Sequence, residues 1–315
     1  MSKSAHIVSL TGGLGNQLFQ LAAALNLFNS DEIKLSSNYG NPRPLSKDGA
    51  DIYLFSLPKN IRILRNRRTS IFAKKCIGYN LRIGISPKKY EEFKLYKWSI
   101  ELISKVLIFF DQFKYFQFII GSGVGFCEIP QVQKSSLLVG YFQSYKWVSN
   151  PRVKFAMGDM HPIYESDLLR SLIKRALSEK LLFVHIRLTD YRHEDNFGLL
   201  SKEYYRKAIT NLMQTGAYSE IWLFSDELEL AKSYVPDQYK DLVELIPEID
   251  NSPAQTLELL RYGSGYIIAN SSFSWWGAML AFKENVRVVA PSVWFKNLES
   301  PKDLIPPSWE TIEPW

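Results

Sequence analysis

Cysteine is scarce in this chain: two in 315 residues, Cys76 and Cys127, far apart and without metal-ligand spacing. That leaves no basis for a disulfide framework or a zinc site, and a reducing compartment is the default. Long apolar runs are missing too. Only four or five apolar residues precede the first glycine turn, too few for the h-region of a signal peptide. The most apolar segment, 98–126, is interrupted by Glu101, Lys105, Asp111 and Lys114, whereas a spanning helix wants roughly 20 nearly uncharged residues. A soluble, cytoplasmic protein is the expectation. There is no repeat, no low-complexity tract and no G-x-x-x-x-G-K-[ST], which removes a P-loop.

What is present is an ordinary globular composition, 46% apolar and 22% charged, with a high aromatic share of 14%. A length of 315 residues suggests two domains, each able to bury its own core. Charge is uneven. Between Lys59 and Trp98 there are 12 Lys or Arg against Glu91 and Glu92, although the whole chain carries only +6. Such a stretch suits an anionic membrane surface or an anionic substrate, or else a solvated helical face. Nucleic acid fits less well, because no nucleic-acid module accompanies the charge.

The C-terminal half has a clear rhythm of apolar runs and helical periods. Strands are expected at 181–186, 220–225, 242–246, 265–269 and 286–290. Helices are expected at 202–214, 226–235 and 253–263, with another after the fourth strand. That alternation means α/β with a doubly wound parallel sheet. The first thirty residues open a similar unit: strand "HIVSL", glycine turn "TGGLGNQ", then the apolar helix "LFQLAAALNLF". Residues 40–150 are less legible. The turn dipeptide Asn150-Pro151 gives a boundary, so the expected domains are 1–150 and 151–315, two Rossmann-like domains facing a cleft.

Four strand-end clusters carry the candidate chemistry. "GGLGNQ" (12–17) imitates a dinucleotide fingerprint, but Leu18 stands where the third glycine belongs. Asp31 and Glu32 precede the second strand, whose end offers Ser36 and Ser37 instead of the ribose-binding acid. An NAD(P)-dependent Rossmann oxidoreductase is thus the weaker reading. What survives is a glycine turn at a helix start, where a ligand can approach backbone N–H groups near Gly13, Gly15 and Asn16. "VHIRLTDY" (184–191) ends a strand in a polar cluster where open α/β sheets bind ligands, with His185 and Arg187 on one face by alternation. Arg187 offers a planar fork suited to phosphate, or a local ion pair with Asp190. Ser225 and Asp226 end the next strand, where an N-cap is the plainer explanation. "IIANSSFSWWGAML" (267–280) sets Asn270, Ser271, Ser272 and Phe273 at a helix start, a donor-rich nest for an anion, while its tryptophans anchor the helix. No D-x-D pair occurs to clamp a metal-bound nucleotide sugar. A diphosphate held by arginine and helix N-termini, with no metal, is the anion that remains.

At these residues the chain resembles a known family. "GGLGNQLFQLA", "GYFQSYKW" (140–147), "HIRLTDY", "SKEYYRKAI" (201–209), "FSDE" and "IIANSSFSWWGAML" are similar, in order, to the motifs of bacterial α-1,2-fucosyltransferases. The resemblance implies a GT-B fold and inverting, metal-independent transfer from GDP-β-L-fucose to a 2-hydroxyl, typically of galactose. It places GDP-fucose mainly on the C-terminal domain and the acceptor, a surface glycan such as a lipid-linked O-antigen or lipopolysaccharide precursor, with the N-terminal one. Arg187 is expected on the pyrophosphate and His185 near the guanine side. Ser271 and Ser272, with the N–H groups from Asn270 to Phe273, are expected at the phosphates. Gly13, Gly15 and Asn16 approach the donor from the facing domain, and Asp226 counts with the donor site. Asp190 is an acid of the same motif; Asp190, Glu194 and Asp195 are the candidate bases. Leu188 stands where the family has a second arginine, and Thr189 where it has glycine. Thr256 stands where an acid is common, with Glu258 as a substitute grip on guanine. Related enzymes use GDP-colitose, which is the alternative donor. The basic stretch 59–97 is a candidate for peripheral contact with the inner membrane.

Overall fold

The computed structural model describes residues 5–29, 31–37, 50–64, 102, 117–120, 124–126, 128–129, 135–193 and 195–315. The basic stretch beyond Leu64, most of the apolar segment 98–126, both cysteines and Glu194 lie outside them. The chain divides into two compact units, Met1–His161 with Pro301–Leu304, and Pro162–Ser300 with Ile305–Trp315. Each is built on a parallel sheet, the α/β class expected from the alternation.

In the first unit, β1 (Ala5–Ser9) leads through the glycine turn into α1 (Leu14–Phe28) and then β2 (Glu32–Ser36). β3 (Ile61–Ile63), β4 (Gln117–Ile120) and β5 (Ser136–Val139) complete a sheet of order β3-β2-β1-β5-β4. The order reverses between β1 and β5, so a crevice opens beyond the carboxyl ends of those two strands. α1 is apolar on nearly every side and buries Leu14, Leu18, Phe19, Leu21 and Leu25. Asn150-Pro151 is a helix start: Asn150 Oδ1 accepts the Arg152 N–H at 3.1 Å, and proline takes the first position of α2 (Pro151–Gly158). Arg152 then donates to the Leu25 carbonyl at 2.7 Å near the end of α1, which keeps α2 with the first unit.

The second unit has α3 (Asp167–Ser178), β6 (Leu181–Ile186), α4 (Lys202–Gly216) and β7 (Glu220–Ser225). They are followed by α5 (Leu228–Ala231), β8 (Val243–Ile246), α6 (Pro253–Leu260) and β9 (Gly265–Ile267). α7 (Ser272–Met279), β10 (Arg287–Pro291) and β11 (Glu310–Ile312) close it. Its strand order is β11-β10-β9-β6-β7-β8, with the reversal between β6 and β9. The helix expected over 226–235 is only α5 plus a 3₁₀ turn at Lys232–Tyr234. Pro236 holds Val235 extended at φ −81°, ψ 138°, which ends the helix early.

β6 is buried along its whole length, as a parallel strand covered on both faces should be. Leu182, Val184, Ile186 and Leu188 pack on Tyr204, Tyr205, Ala208 and Leu212 of α4. On the other face Phe183 stacks on Trp222 with ring centroids 5.3 Å apart. Arg175 bolts the opposite edge of the sheet, pairing with Glu179 at 3.1 Å and with Glu220 and Glu244. α6 and α7 pack closely at Gly277, where a Cβ would stand 2.7 Å from the Leu260 Cβ. Gly277→Ala is therefore expected to lose stability, because overpacking of about 1–3 kcal/mol outweighs a helix-propensity gain of about 1 kcal/mol. A lowered Tm in thermal denaturation checks this; an unchanged or raised Tm overturns it.

Candidate active site

In the second unit, the switch point between β6 and β9 gathers most of the residues singled out by sequence. His185 is the last residue but one of the buried strand β6, and Arg187 follows on the same face by alternation. Arg187 Nε lies 3.4 Å from Asp226 Oδ2, just past the end of β7. Asp226 does more than pair with it. Its carboxylate accepts the N–H of Leu188 at 2.9 Å, the N–H of Thr189 at 3.0 Å, and the Thr189 hydroxyl. Burial pushes its acidity the other way, but the Thr189 hydroxyl, the Arg187 charge and the two N–H groups hold its pKa below the usual carboxylate value. Asp226 is thus an anion that fixes the turn carrying Arg187. It does not cap the next helix, which starts after Glu227 without a side-chain cap.

His185 is 7% exposed, and its Nδ1 has no hydrogen-bond partner. Burial, then the Arg187 charge, depress its pKa to about 4 against a smaller opposing pull from Asp226, so the ring is neutral at pH 7. The Phe273 ring stands 6.0 Å away, at the start of α7. There Ser271 is the N-cap, its hydroxyl accepting the Phe273 N–H at 3.4 Å, and Ser272 is half-buried in the first turn. Asn270 is buried and structural: its amide faces the carbonyls of Phe197, Gly198 and Trp294 at 3.0–3.2 Å. Trp275 and Trp276 are both fully buried, their rings edge to face at 5.0 Å, so they anchor α7 and stack on no ligand.

Three tyrosine hydroxyls steady the strand ends. Tyr205 donates to the His185 carbonyl at 3.3 Å, Tyr204 to that of Ile268 at 2.8 Å, and Tyr191 to that of Asn270 at 3.0 Å. The "SKEYY" motif is therefore a support beneath β6 and β9. Asp190 opens the 3₁₀ turn Asp190–His193, and Asp195 is exposed beyond it. Glu258 sits apart. It is 1% exposed, its two oxygens held by Arg261 at 2.8 Å and Tyr262 at 3.1 Å, so a ligand would have to displace one of them.

Gly13, Gly15 and Asn16 belong to the first unit, at the start of α1. Gly12 needs its φ of +75°, and a Cβ there would collide with Asn16 Nδ2 at 2.3 Å. Gly13 caps α1 without a side chain, and a Cβ on it would meet nothing within 4 Å. Two buried glutamines tie the turn down. Gln17 donates to the Gly12 carbonyl at 2.9 Å and accepts the Ile52 N–H at 3.0 Å. Gln20 brackets Thr11 and donates to the Gly140 carbonyl at 2.9 Å, which joins the ends of β1 and β5. Asp31, at the dinucleotide-fingerprint distance, pairs with His6 at 3.2 Å at the opposite end of β2. The strand end where a ribose would be gripped carries Ser36. Sequence reasoning passed over Phe142 and Gln143, although "GYFQ" lies in a quoted motif. Phe142 is buried with φ +54°, a left-handed conformation costing an L-residue roughly 1–3 kcal/mol, and such strain concentrates at functional sites.

Among the described residues no group of three or more His, Cys, Asp or Glu is placed to hold a metal. None of the helices there is long and apolar enough to cross a membrane.

Residues 167–313 match the profile of glycosyl transferase family 11. The matched stretch lies almost wholly in the second unit, and that unit is similar to this family. It is 28% identical over 305 residues to the O-antigen biosynthesis glycosyltransferase WbnK of Escherichia coli, covering 91% of this chain and 93% of WbnK. It is 27% identical to an alpha-1,2-colitosyltransferase of Escherichia coli, covering 98% of both chains. Among solved structures, fucosyltransferase NodZ from Bradyrhizobium aligns with 89% of this chain and 94% of its own at TM-score 0.47 and 11% identity.

Leu188 is fully buried in the core on the α4 side of β6. Its side chain offers no charge to the strand end, where its N–H serves Asp226 instead. Thr256 is also committed inward, its hydroxyl accepting the Ile249 N–H at 3.0 Å and donating to the Ser252 carbonyl at 3.1 Å. Positive charge at the β6 end accordingly falls to Arg187.

Proposed function

We propose that the chain is an inverting transferase that moves a deoxyhexose from its GDP-activated form to the 2-hydroxyl of a galactose-type sugar in a surface glycan. The observation that carries this reading is Arg187, held by Asp226 at the switch point beside the Ser271–Ser272 helix start. A guanidinium and helix N–H groups suit a diphosphate that leaves without a metal. In the reaction the acceptor oxygen forms a bond to the anomeric carbon as the carbon–oxygen bond to the β-phosphate breaks. GDP departs with that electron pair, and the hydroxyl proton passes to solvent or to a carboxylate such as Asp190. The motif resemblance favours GDP-β-L-fucose. The relative matched over 98% of both chains and named a colitosyltransferase favours GDP-colitose as the second reading. A lipid-linked acceptor would suit the basic stretch 59–97.

The test is a donor screen in EDTA with GDP-fucose, GDP-colitose and GDP-mannose against β-galactosides, following GDP release and the linkage formed by NMR. The expected result is galactoside-stimulated GDP release from a deoxyhexose donor and a product substituted at the 2-position. Equal rates with GDP-mannose, a requirement for added metal, or substitution at another position would overturn the reading.

A further inference from the structure

The first unit carries a second built site at its own switch point, and its chemistry differs from that at Arg187. Gln143 follows the left-handed Phe142 just past β5 and is 8% exposed. Its backbone N–H is spent on the Val124 carbonyl at 2.7 Å. Its side-chain Nε2 donates to Asn16 Oδ1 at 2.6 Å, while its Oε1 is buried and has no hydrogen-bond partner. A buried amide oxygen left unpaired is a costly group, and it sits where the strained Phe142 holds it. Beside it, α1 begins at Gly13 with no side-chain cap and with open space where a Cβ would be.

The surroundings decide what this site takes. Among the described residues the groups at the turn itself are Thr11, the glycines, Asn16, Gln17, Gln20 and Gln143, all uncharged. A phosphate would find no cation among them, whereas a hydroxyl suits an amide because it can donate as well as accept. We propose that the Asn16–Gln143 amide pair is a sugar-hydroxyl site that positions the acceptor glycan. Gln143 makes the direct contact, and Asn16, which the family resemblance had set against the donor, holds its amide in place. This rests on the transferase reading for the word acceptor. The hydroxyl chemistry rests on the amide pair alone.

Two measurements separate the proposal from that reading. In steady-state kinetics Gln143→Leu should raise the acceptor KM roughly tenfold, the scale of one lost neutral hydrogen bond. The donor KM and the slow hydrolysis of donor by water should change less than about twofold, on the same scale. Gln143→Glu keeps an acceptor oxygen and should lie between. An unchanged acceptor KM in a folded Gln143→Leu variant, or donor and acceptor KM rising together, overturns the site while leaving the transferase standing. Saturation-transfer NMR with methyl β-galactoside and no donor gives the second readout. Signal with the natural chain and its loss in Gln143→Leu supports the site even if the donor screen fails. No signal with either protein, or equal signal with both, overturns it.

Discussion

Replacing Arg187 by alanine is expected to cut turnover by about 10²–10³ while leaving the protein folded, the range seen when one preorganised donor to developing negative charge is removed. The residue stands at the end of β6 with 35% of its side chain exposed, so the fold does not depend on its burial. Its role follows from where charge grows. In the proposed reaction negative charge accumulates on the β-phosphate as the bond to the anomeric carbon breaks, and the neutral donors proposed to share it are the hydroxyls and N–H groups at the start of α7. With Leu188 turned into the core, no second guanidinium shares that load from the next position. Arg187→Lys keeps the charge but loses the planar fork, and an intermediate rate is expected. The check is kcat for both variants beside circular dichroism and Tm. Near-wild-type turnover in a folded Arg187→Ala variant would remove the residue from the mechanism.

The contrast between Arg187 and its partner explains what the sequence could disclose. β6 and β7 run over 181–186 and 220–225 as expected, because parallel strands buried on both faces read as unbroken apolar runs. The shared face of His185 and Arg187 follows from the two-residue period of a strand. Asp226 was legible as an N-cap or, from its place at a strand end, as a member of the donor site, but not as the partner of the β6 turn. Its bonds to Leu188 and Thr189 span 38 and 37 residues, and nothing local announces them. The same holds for the Asn16–Gln143 pair, separated by 127 residues. Glu258 is the opposite case. Its partners Arg261 and Tyr262 lie three and four residues on, the spacing of neighbours on a helix face, so the pairing was available from the chain alone. The expectation of a ligand-gripping carboxylate passed over that simpler accounting. The early end of the helix over 226–235 was likewise written in Pro236.

Acidification from neutral pH should destabilise the second unit through His185. In the unfolded chain this imidazole takes up a proton near pH 6.5; in the folded chain it does so only near pH 4, because it is buried beside Arg187. Between those values the unfolded state binds more protons, so stability rises with pH. The contribution is complete above about pH 6.5 and is lost as pH falls toward 4, a span worth on the order of 3 kcal/mol. His6 in the first unit, also depressed by burial against the pull of Asp31, adds a slope of the same sign. A difference measurement isolates His185: chemical denaturation of the natural chain and of His185→Leu across pH 7 to 4.5. The natural chain should lose stability more steeply, and the two curves should converge or cross on the acid side. Parallel curves would mean that the folded chain takes up the imidazole proton as readily as the unfolded chain, so that the ring is charged once the pH falls below about 6.5. The depressed pKa assigned to the ring would then be wrong, and below that pH Arg187 would have to share its anion with a second cation.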